Sequence, residues 1–235
     1  MNNNKLIISS HNSFTYLKPR NLLSCIGIPI GRCQTKNIIE QIKAGVRLLD
    51  IRVRFDNSGY MYLCHGYFEV KLEIPVIEIN ISDNKDKNYV LSDKFKFPQF
   101  IDWLLNIVTN NISKEEYFYF RLVLETSKEN IIQELFFKNF CEYFKNELEK
   151  RKLYPYYRIL SCVRKFDWKQ LVLPTDSISC MQHISSCPNY VESIKVRWYE
   201  KFCPWLYAKR TNKQFLKNLD KGLYNNYDSV SYDFI

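Results

Sequence analysis

The feature of this sequence that most constrains its fold is an alternation of short apolar runs with longer amphipathic stretches. Short apolar runs are typical of buried strands, and apolar residues spaced three or four positions apart are typical of helices. Where the two alternate, helices cross over between strands of a parallel sheet or barrel. The expected strands are residues 5–10, 46–53, 60–65, 117–125, 157–163, 177–182 and 228–234.

Three helices are expected between these strands. Residues 35–45 form one, with Thr35 as its cap and Gly45 as its end, and residues 97–108 form the second. The third covers residues 129–150. Its expected buried stripe is Ile132, Leu135, Phe136, Tyr143 and Phe144.

The sequence predicts one domain over residues 1–235, because it shows no internal repeat, flexible linker or change of composition. Residues 66–95 have mixed signals and are expected to form a long loop or hairpin insertion. Seven or eight strands in this length favour a barrel. A doubly wound open sheet is the alternative, but no glycine-rich phosphate loop follows the first strand, as that fold would require for a nucleotide.

The net charge of +9 is dispersed along the chain and weakly favours an anionic partner, either a phospholipid surface or a nucleic acid. No recognisable RNA- or DNA-binding module is present, so no nucleic-acid partner is expected. The eight cysteines lack a disulfide framework, and no apolar run is long enough for a signal peptide or a membrane span. These features predict a cytoplasmic protein, monomeric, with peripheral membrane contact.

Polar residues capable of catalysis stand near the ends of the expected strands. In a parallel barrel, these ends meet at one rim, where active sites lie. Two imidazoles, a guanidinium and several carboxylates suit cleavage of a phosphodiester by general acid–base catalysis. Each residue taken alone could instead be structural, and the arginine could merely pair with an acid. The residues are His11, Asn12, Asp50, Arg52, His65, Glu125 and Asp233.

Four short motifs resemble the phosphatidylinositol-specific phospholipase C family, in the compact bacterial-like form of its X-type catalytic domain. They are "SSHNSF" (9–14), "GVRLLDIRVRF" (45–55), "CHGYF" (64–68) and "VSYDFI" (230–235). Residues 126–227 show no specific match. The resemblance implies a distorted, partly open TIM barrel and an enzyme that acts on phosphatidylinositol in a membrane surface.

The resemblance also implies a role for each site residue. His11, oriented by Asp233, takes the proton of the inositol 2-hydroxyl, which attacks the phosphorus. His65 protonates the leaving diacylglycerol oxygen, and Arg52 stabilises the charge on the phosphate oxygens. The first product is inositol 1,2-cyclic phosphate, which the same histidines can hydrolyse slowly.

Arg52 favours a metal-free enzyme, because calcium-dependent members of the family carry an aspartate at this position. Two departures keep calcium open as an alternative. Asn12 stands where bacterial members have an aspartate that supports the acid histidine, and Glu125 stands where they have a lysine. With Asp50, these two residues would offer three oxygen ligands.

Other readings of the chain stay open. It could be a weakly active or inactive relative that binds phosphoinositides or a protein partner, or a related phosphodiester barrel enzyme such as a glycerophosphodiesterase. Residues 197–210 combine tryptophans and basic residues and could dock to an anionic membrane or form a core-facing helix. A zinc site is a further alternative to buried thiols. Its ligands would be Cys180, His183, Cys187 and Cys203.

Overall fold

The computed structural model has an α/β architecture, and it describes residues 6–71, 97–113, 115–126, 130–154, 156–163, 170–172, 180–185, 197–201, 204–224 and 226–235. Within these residues the strands are β1 (Ile7–Ser10), β2 (Lys18–Pro19), β3 (Leu48–Phe55), β4 (Met61–His65), β5 (Phe68–Lys71), β6 (Phe118–Leu124), β7 (Tyr157–Val163), β8 (Gln170–Val172), β9 (Cys180–Ser185) and β10 (Ser229–Tyr232). The helices are α1 (Leu22–Gly31), α2 (Ile38–Lys43), α3 (Phe97–Asn111), α4 (Ile131–Lys150) and α5 (Pro204–Asp220), with a short 3-10 helix at Trp198–Lys201.

Six strands form one continuous parallel sheet. Their order in space is β7, β6, β3, β1, β10 and β9. This order follows the chain around a ring and returns from β10 to β1, as in a barrel and unlike a doubly wound sheet. No ladder within the described residues joins β7 to β8 or β9, so the sheet is open on that side. The expected distorted, partly open TIM barrel is confirmed.

The strand expected at 60–65 forms, but it is antiparallel and does not belong to the parallel ring. β4 pairs with the end of β3 in a hairpin, with Val53 opposite Leu63 and Phe55 opposite Met61. The chain therefore turns back along β3, and the same register places His65 level with the middle of that strand. His65 reaches the site on a returning hairpin and not at the carboxyl end of a parallel strand.

α2 begins later than the sequence predicts. The Asn37 side chain accepts a hydrogen bond from the Glu40 backbone N–H, and the Glu40 carboxylate accepts one from the Asn37 N–H. This reciprocal pair satisfies two donors at the start of the helix, so the cap is Asn37 and the assignment of Thr35 is wrong. Gly45 ends the segment as expected, with a φ of +96° that favours glycine.

The buried face of α4 differs from the expected stripe. Ile132 and Leu135 are both 56% exposed, and Phe136 and Tyr143 are partly buried at its edge. Of the predicted residues, only Phe144 is fully buried, because the helix turns a row of phenylalanines towards the rings of β3 and β6. The apolar residues of this buried face are Phe137, Phe140, Phe144 and Leu148.

Within the described residues, β2, α1, β5, β8 and the part of α5 after residue 210 were not predicted. α1 contains glycines and a proline, which obscure a helical pattern in the sequence. β5 occupies part of the expected insertion at 66–95; residues 72–96 lie outside the described residues, as do 177–179 of the strand expected at 177–182. Among the residues that the structure describes, no helix combines the length and apolar character needed to cross a bilayer.

Candidate active site

His11 lies directly after β1, where a parallel ladder brings it beside the last strand. Ser10 pairs with Tyr232, and the His11 backbone N–H extends the ladder by donating to the Tyr232 carbonyl at 3.0 Å. Because Asp233 follows Tyr232, its carboxylate reaches the histidine ring, with 2.6 Å between Nδ1 and Oδ1. The structure therefore joins the two ends of the sequence at one buried imidazole.

Hydrogen bonds fix the turn that carries His11. Asn12 has a φ of +47°, a left-handed conformation that asparagine tolerates better than most residues. Its side-chain amide lies 3.2 Å from Nε2 of His11. The Gln34 side chain donates to the carbonyls of His11 and Tyr232, at 3.0 and 2.9 Å. The imidazole is thus held from the first strand, the last strand and the segment after α1.

Arg52 points from β3 into the same space. Its Nη2 lies 2.8 Å from Nε2 of His11, while Nε donates to Asp50 and Nη1 to Glu125, both at 3.2 Å. Burial disfavours the charged guanidinium, but the two carboxylates outweigh burial and raise the pKa of Arg52 further above its ordinary value. The site therefore contains a permanent cation that is already paired with two acids.

Arg121 is a member of this network that the sequence analysis missed. It is almost completely buried on β6, beside Asp50 in the ladder, and its Nη1 donates to Asp50 Oδ1 at 2.5 Å. The other oxygen of Asp50 accepts from Arg52 and from the Asn12 backbone. Burial raises the pKa of the Asp50 carboxyl, but Arg121 and Arg52 outweigh it and hold this pKa well below its ordinary value. An arginine inside the apolar run "YFYFRLVLE" was the available signal, because such a charge needs a buried partner.

His65 faces His11 across a narrow gap, with ring centroids 5.5 Å apart and ring planes inclined by 78°. Its Nδ1 lies 2.9 Å from the Gly31 carbonyl oxygen. Because a carbonyl can only accept, Nδ1 carries the proton and donates it in this bond. A Cβ on Gly31 would lie 2.4 Å from the Phe68 side chain, so only glycine allows the end of α1 to lie this close to Phe68.

The environment of His65 keeps its ring neutral. Burial is the largest cause, and the positive charges of Arg52 and of a protonated His11 act in the same direction, so the pKa of His65 falls to about 4. The group that bonds His65 is the Gly31 backbone carbonyl and not the side chain at position 12. The Asn12 amide is directed towards His11.

Arg54 connects the turn after His65 to the end of β6. Its Nε donates to the Glu125 backbone carbonyl and its Nη2 to the Gly66 carbonyl, both at 2.6 Å. This arginine was not predicted to belong to the site. Its position two residues after Arg52 was a usable signal, because alternate residues of a strand share a face.

The oxygen ligands considered for calcium do not form an open cation site. Arg52 lies between Asp50 and Glu125 and hydrogen-bonds to both, so a cation at this place would have to displace it. A calcium ion at this place would meet the guanidinium at close range. These residues therefore do not fit calcium.

The described residues of the range 197–210 show features of both expected roles, a membrane-docking surface and a core-facing helix. Trp198 and Trp205 are 76% and 53% exposed, as a docking surface requires, whereas Tyr207 is buried in a core cluster. Glu200 is buried and pairs with Arg210 at 2.6 Å. The zinc hypothesis stays untested, because Cys187 and Cys203 and the side chains of Cys180 and His183 lie outside the described residues.

A curled parallel barrel with two facing histidines and a buried arginine at its rim defines a phosphodiester-cleaving barrel enzyme. The family model for the phosphatidylinositol-specific phospholipase C X domain matches residues 2–163. The chain belongs to this family, and it is an enzyme of this type. The resemblance drawn from the four motifs is therefore confirmed.

Solved structures support the same fold. The phosphatidylinositol-specific phospholipase C of Listeria monocytogenes has a TM-score of 0.56 and 14% identity, over 98% of this chain and 89% of that chain. A mutant of the Staphylococcus aureus phosphatidylinositol-specific phospholipase C has a TM-score of 0.58 and 13% identity, over 98% and 87%. A search of curated proteins finds no match.

Proposed function

We propose that this chain cleaves phosphatidylinositol to diacylglycerol and inositol 1,2-cyclic phosphate without a metal. The observation that carries the proposal is the convergence of His11, His65 and Arg52 on one space at the barrel rim. Asp233 bonds Nδ1 of His11, so Nε2 is the atom that faces this space and can accept the proton of the inositol 2-hydroxyl. The resulting alkoxide attacks the phosphorus in the same molecule.

Arg52 is the group that stabilises charge on the phosphate. In the absence of substrate its Nη2 bonds His11 Nε2, so a bound phosphate oxygen takes over this donor and frees the nitrogen for its role as base. Asp50 and Glu125 hold the guanidinium in place during this exchange. A preorganised cation of this kind stabilises developing charge without reorganising.

His65 becomes the general acid when substrate binds. Its ring is neutral before binding because its pKa is about 4. The bound phosphodiester brings a negative charge close to the imidazole and neutralises the field of Arg52, and both changes raise the pKa of His65. The substrate therefore promotes protonation of the acid that serves its own leaving group.

We further propose that the chain acts as one domain and as a monomer at a membrane surface. Leu22, Leu23 and Tyr67 are 77%, 77% and 86% exposed, and Ser24 Oγ bonds the Tyr67 carbonyl, so these apolar side chains lie near the hairpin that carries His65. They can enter the lipid interface while the rim faces the headgroups. Free thiols at Cys25, Cys33, Cys64 and Cys141 support a reducing, cytoplasmic compartment.

Phosphorus NMR with phosphatidylinositol vesicles in excess chelator tests the proposed reaction. We expect the signal of the cyclic phosphate to appear, and Arg52→Lys to slow its appearance about 10²-fold or more, because a point charge cannot replace the guanidinium fork. Arg47→Lys is the matched control, since Arg47 pairs with Glu116 away from the site.

Vesicle binding without cleavage would support the alternative of an inactive relative. A strict requirement for calcium would overturn the metal-free reaction.

A further inference from the structure

We propose that Cys33 and the two histidines form a binding site for a thiophilic divalent cation, Zn²⁺ in particular, and that this ion inhibits the enzyme. One ligand atom from each of His11, Cys33 and His65 lies within 4.8 Å of the other two. Cys33 has no role in the proposed reaction. The inhibitory part of this inference rests on the proposed function, whereas the binding part does not.

The backbone fixes the Cys33 thiol beside the acid histidine. The Cys33 N–H donates to Thr15 Oγ1 at 2.9 Å, and its carbonyl accepts from the Phe234 N–H at 2.7 Å. Its Sγ lies 3.6 Å from Nδ1 of His65 and 3.8 Å from the Asn12 amide nitrogen. The thiol is thus held at the junction of the first and last strands, with its sulfur directed at the catalytic space.

The donor set and its spacing suit a tetrahedral thiophilic ion. Zn–N bonds of roughly 2.0 Å and Zn–S bonds of roughly 2.3 Å place neighbouring nitrogen and sulfur ligands roughly 3.5 Å apart. Sγ of Cys33 and Nδ1 of His65 already have this separation. Nδ1 becomes a ligand when the ring holds its proton on Nε2 instead and releases the Gly31 carbonyl. His11 needs to approach by only about an ångström, since its ligand atom lies within 4.8 Å of both. Three protein ligands leave a fourth position open to water or to a phosphate oxygen.

The charges around the site can accommodate the ion. Asp50, Glu125 and Asp233 carry three negative charges, and Arg52, Arg54 and Arg121 carry three positive charges. When the Cys33 thiol binds the metal as a thiolate, its proton leaves to solvent and the surroundings gain one net negative charge. Arg52 must release His11 Nε2 but keeps its bonds to two carboxylates.

Occupation of this site blocks both catalytic imidazoles. A metal on Nε2 of His11 occupies the lone pair that would accept the proton, and a metal on Nδ1 of His65 prevents that ring from becoming the imidazolium that would deliver one. Calcium prefers oxygen ligands and gains little from two imidazoles and a thiolate. Micromolar Zn²⁺ should therefore inhibit, millimolar Ca²⁺ should not, and a chelator should raise the activity of a zinc-contaminated preparation.

Cobalt titration of the metal-depleted protein tests binding independently of activity. We expect a thiolate-to-Co²⁺ absorption band that one equivalent of Zn²⁺ abolishes. Cys33→Ser should remove the band and weaken Zn²⁺ binding by about tenfold or more, because it replaces a zinc ligand. Cys25→Ser is the matched control, since Cys25 is exposed on α1, and this variant should keep the band. Absence of the band in the unsubstituted protein, or its persistence in Cys33→Ser, would overturn the site.

The inhibitory role is tested by the zinc concentration that halves the cleavage rate, measured against each variant's own rate in chelator. This concentration should rise about tenfold or more in Cys33→Ser and stay unchanged in Cys25→Ser. Cleavage that persists at saturating Zn²⁺ would overturn inhibition even if the cobalt band is present. A cobalt band in a protein that never cleaves phosphatidylinositol would support the site and contradict the proposed function instead.

Discussion

The two histidines of the site are held by opposite kinds of structure. His11 lies on a loop fixed by the parallel ladder between β1 and β10, and a carboxylate bonds its Nδ1. His65 lies at the end of an antiparallel hairpin, and a neutral backbone carbonyl bonds its Nδ1. The same side chain therefore has an anionic partner in one case and an uncharged partner in the other.

This difference suits the two histidines to different proton transfers. The Asp233 carboxylate stabilises an imidazolium and so favours acceptance of a proton by His11. The Gly31 carbonyl orients His65 without supplying a charge, and the ring stays neutral until an anion arrives. If the proposed reaction holds, the comparison teaches that the protein prepares the base and the substrate prepares the acid.

Loss of the base should have the largest effect. We expect His11→Ala to lower kcat/KM by about 10⁴-fold, because general base catalysis and its orientation are both lost. The loss should be similar for phosphatidylinositol and for an inositol phosphodiester with a nitrophenol leaving group, since both require the 2-hydroxyl to be deprotonated. A much smaller loss with either substrate would contradict the assignment of His11.

Loss of the acid should depend on the leaving group. We expect His65→Ala to lower kcat/KM by about 10³-fold for phosphatidylinositol but only about tenfold for the nitrophenyl substrate, because nitrophenolate leaves without a proton. Steady-state kinetics on the two substrates measures this ratio. Equal losses would show that His65 does not donate the proton.

Two arginines allow the structures that hold the two histidines to be tested separately: Arg121 bonds Asp50 in the parallel sheet, and Arg54 bonds Gly66 next to His65. Arg121→Met should lower the free energy of unfolding by about 3 kcal/mol, because it leaves the buried Asp50 carboxylate with one guanidinium fewer. Arg54→Met should cost about 1 kcal/mol, since it removes bonds to two part-buried carbonyls. Urea unfolding measures both, with Lys145→Met at an exposed ion pair of α4 as the control.

If Arg121→Met lowered the free energy of unfolding less than Arg54→Met, the contacts of the hairpin would stabilise the fold more than those of the buried Asp50. That result would contradict the expected order of the two variants.

The lowered pKa of His65 should appear as a pH-dependent stability. Below the ordinary pKa of about 6.5, the unfolded chain protonates this histidine while the folded protein does not until about pH 4, so stability falls as pH decreases through this window. The full shift corresponds to about 3 kcal/mol, and partial solvent access to the ring reduces this to about 2 kcal/mol.

Unfolding measured between pH 7 and pH 4 should show this slope, and His65→Asn should flatten it. Unchanged slopes in the two proteins would mean that the ring is not kept neutral by its surroundings.

The sequence predicts the parallel part of this molecule better than the antiparallel part. The apolar runs of β1, β3, β6, β7 and β10 mark buried strands, and the polar residues that follow them were expected at one rim. The direction of β4 was not predictable, because residue alternation marks a strand but not the direction in which it pairs. The motif "CHGYF" still located His65, since a resemblance carries information that periodicity lacks.

Two of the site residues that were not predicted, Gly31 and Cys33, share a physical reason. Both residues lie in a segment whose local pattern marks neither strand nor helix, and their importance comes from contacts with His65 across the fold. The buried face of α4 was misassigned because apolar residues occupy more than one side of that helix. Local spacing cannot choose between faces when several are apolar.

The ladder between β1 and β10 also orders events during synthesis of the chain. The contact between His11 and Asp233 spans 222 positions. A polypeptide still emerging from the ribosome therefore carries the base without the carboxylate that orients it. The proposed site is therefore complete only after β10 has been translated and has inserted beside β1.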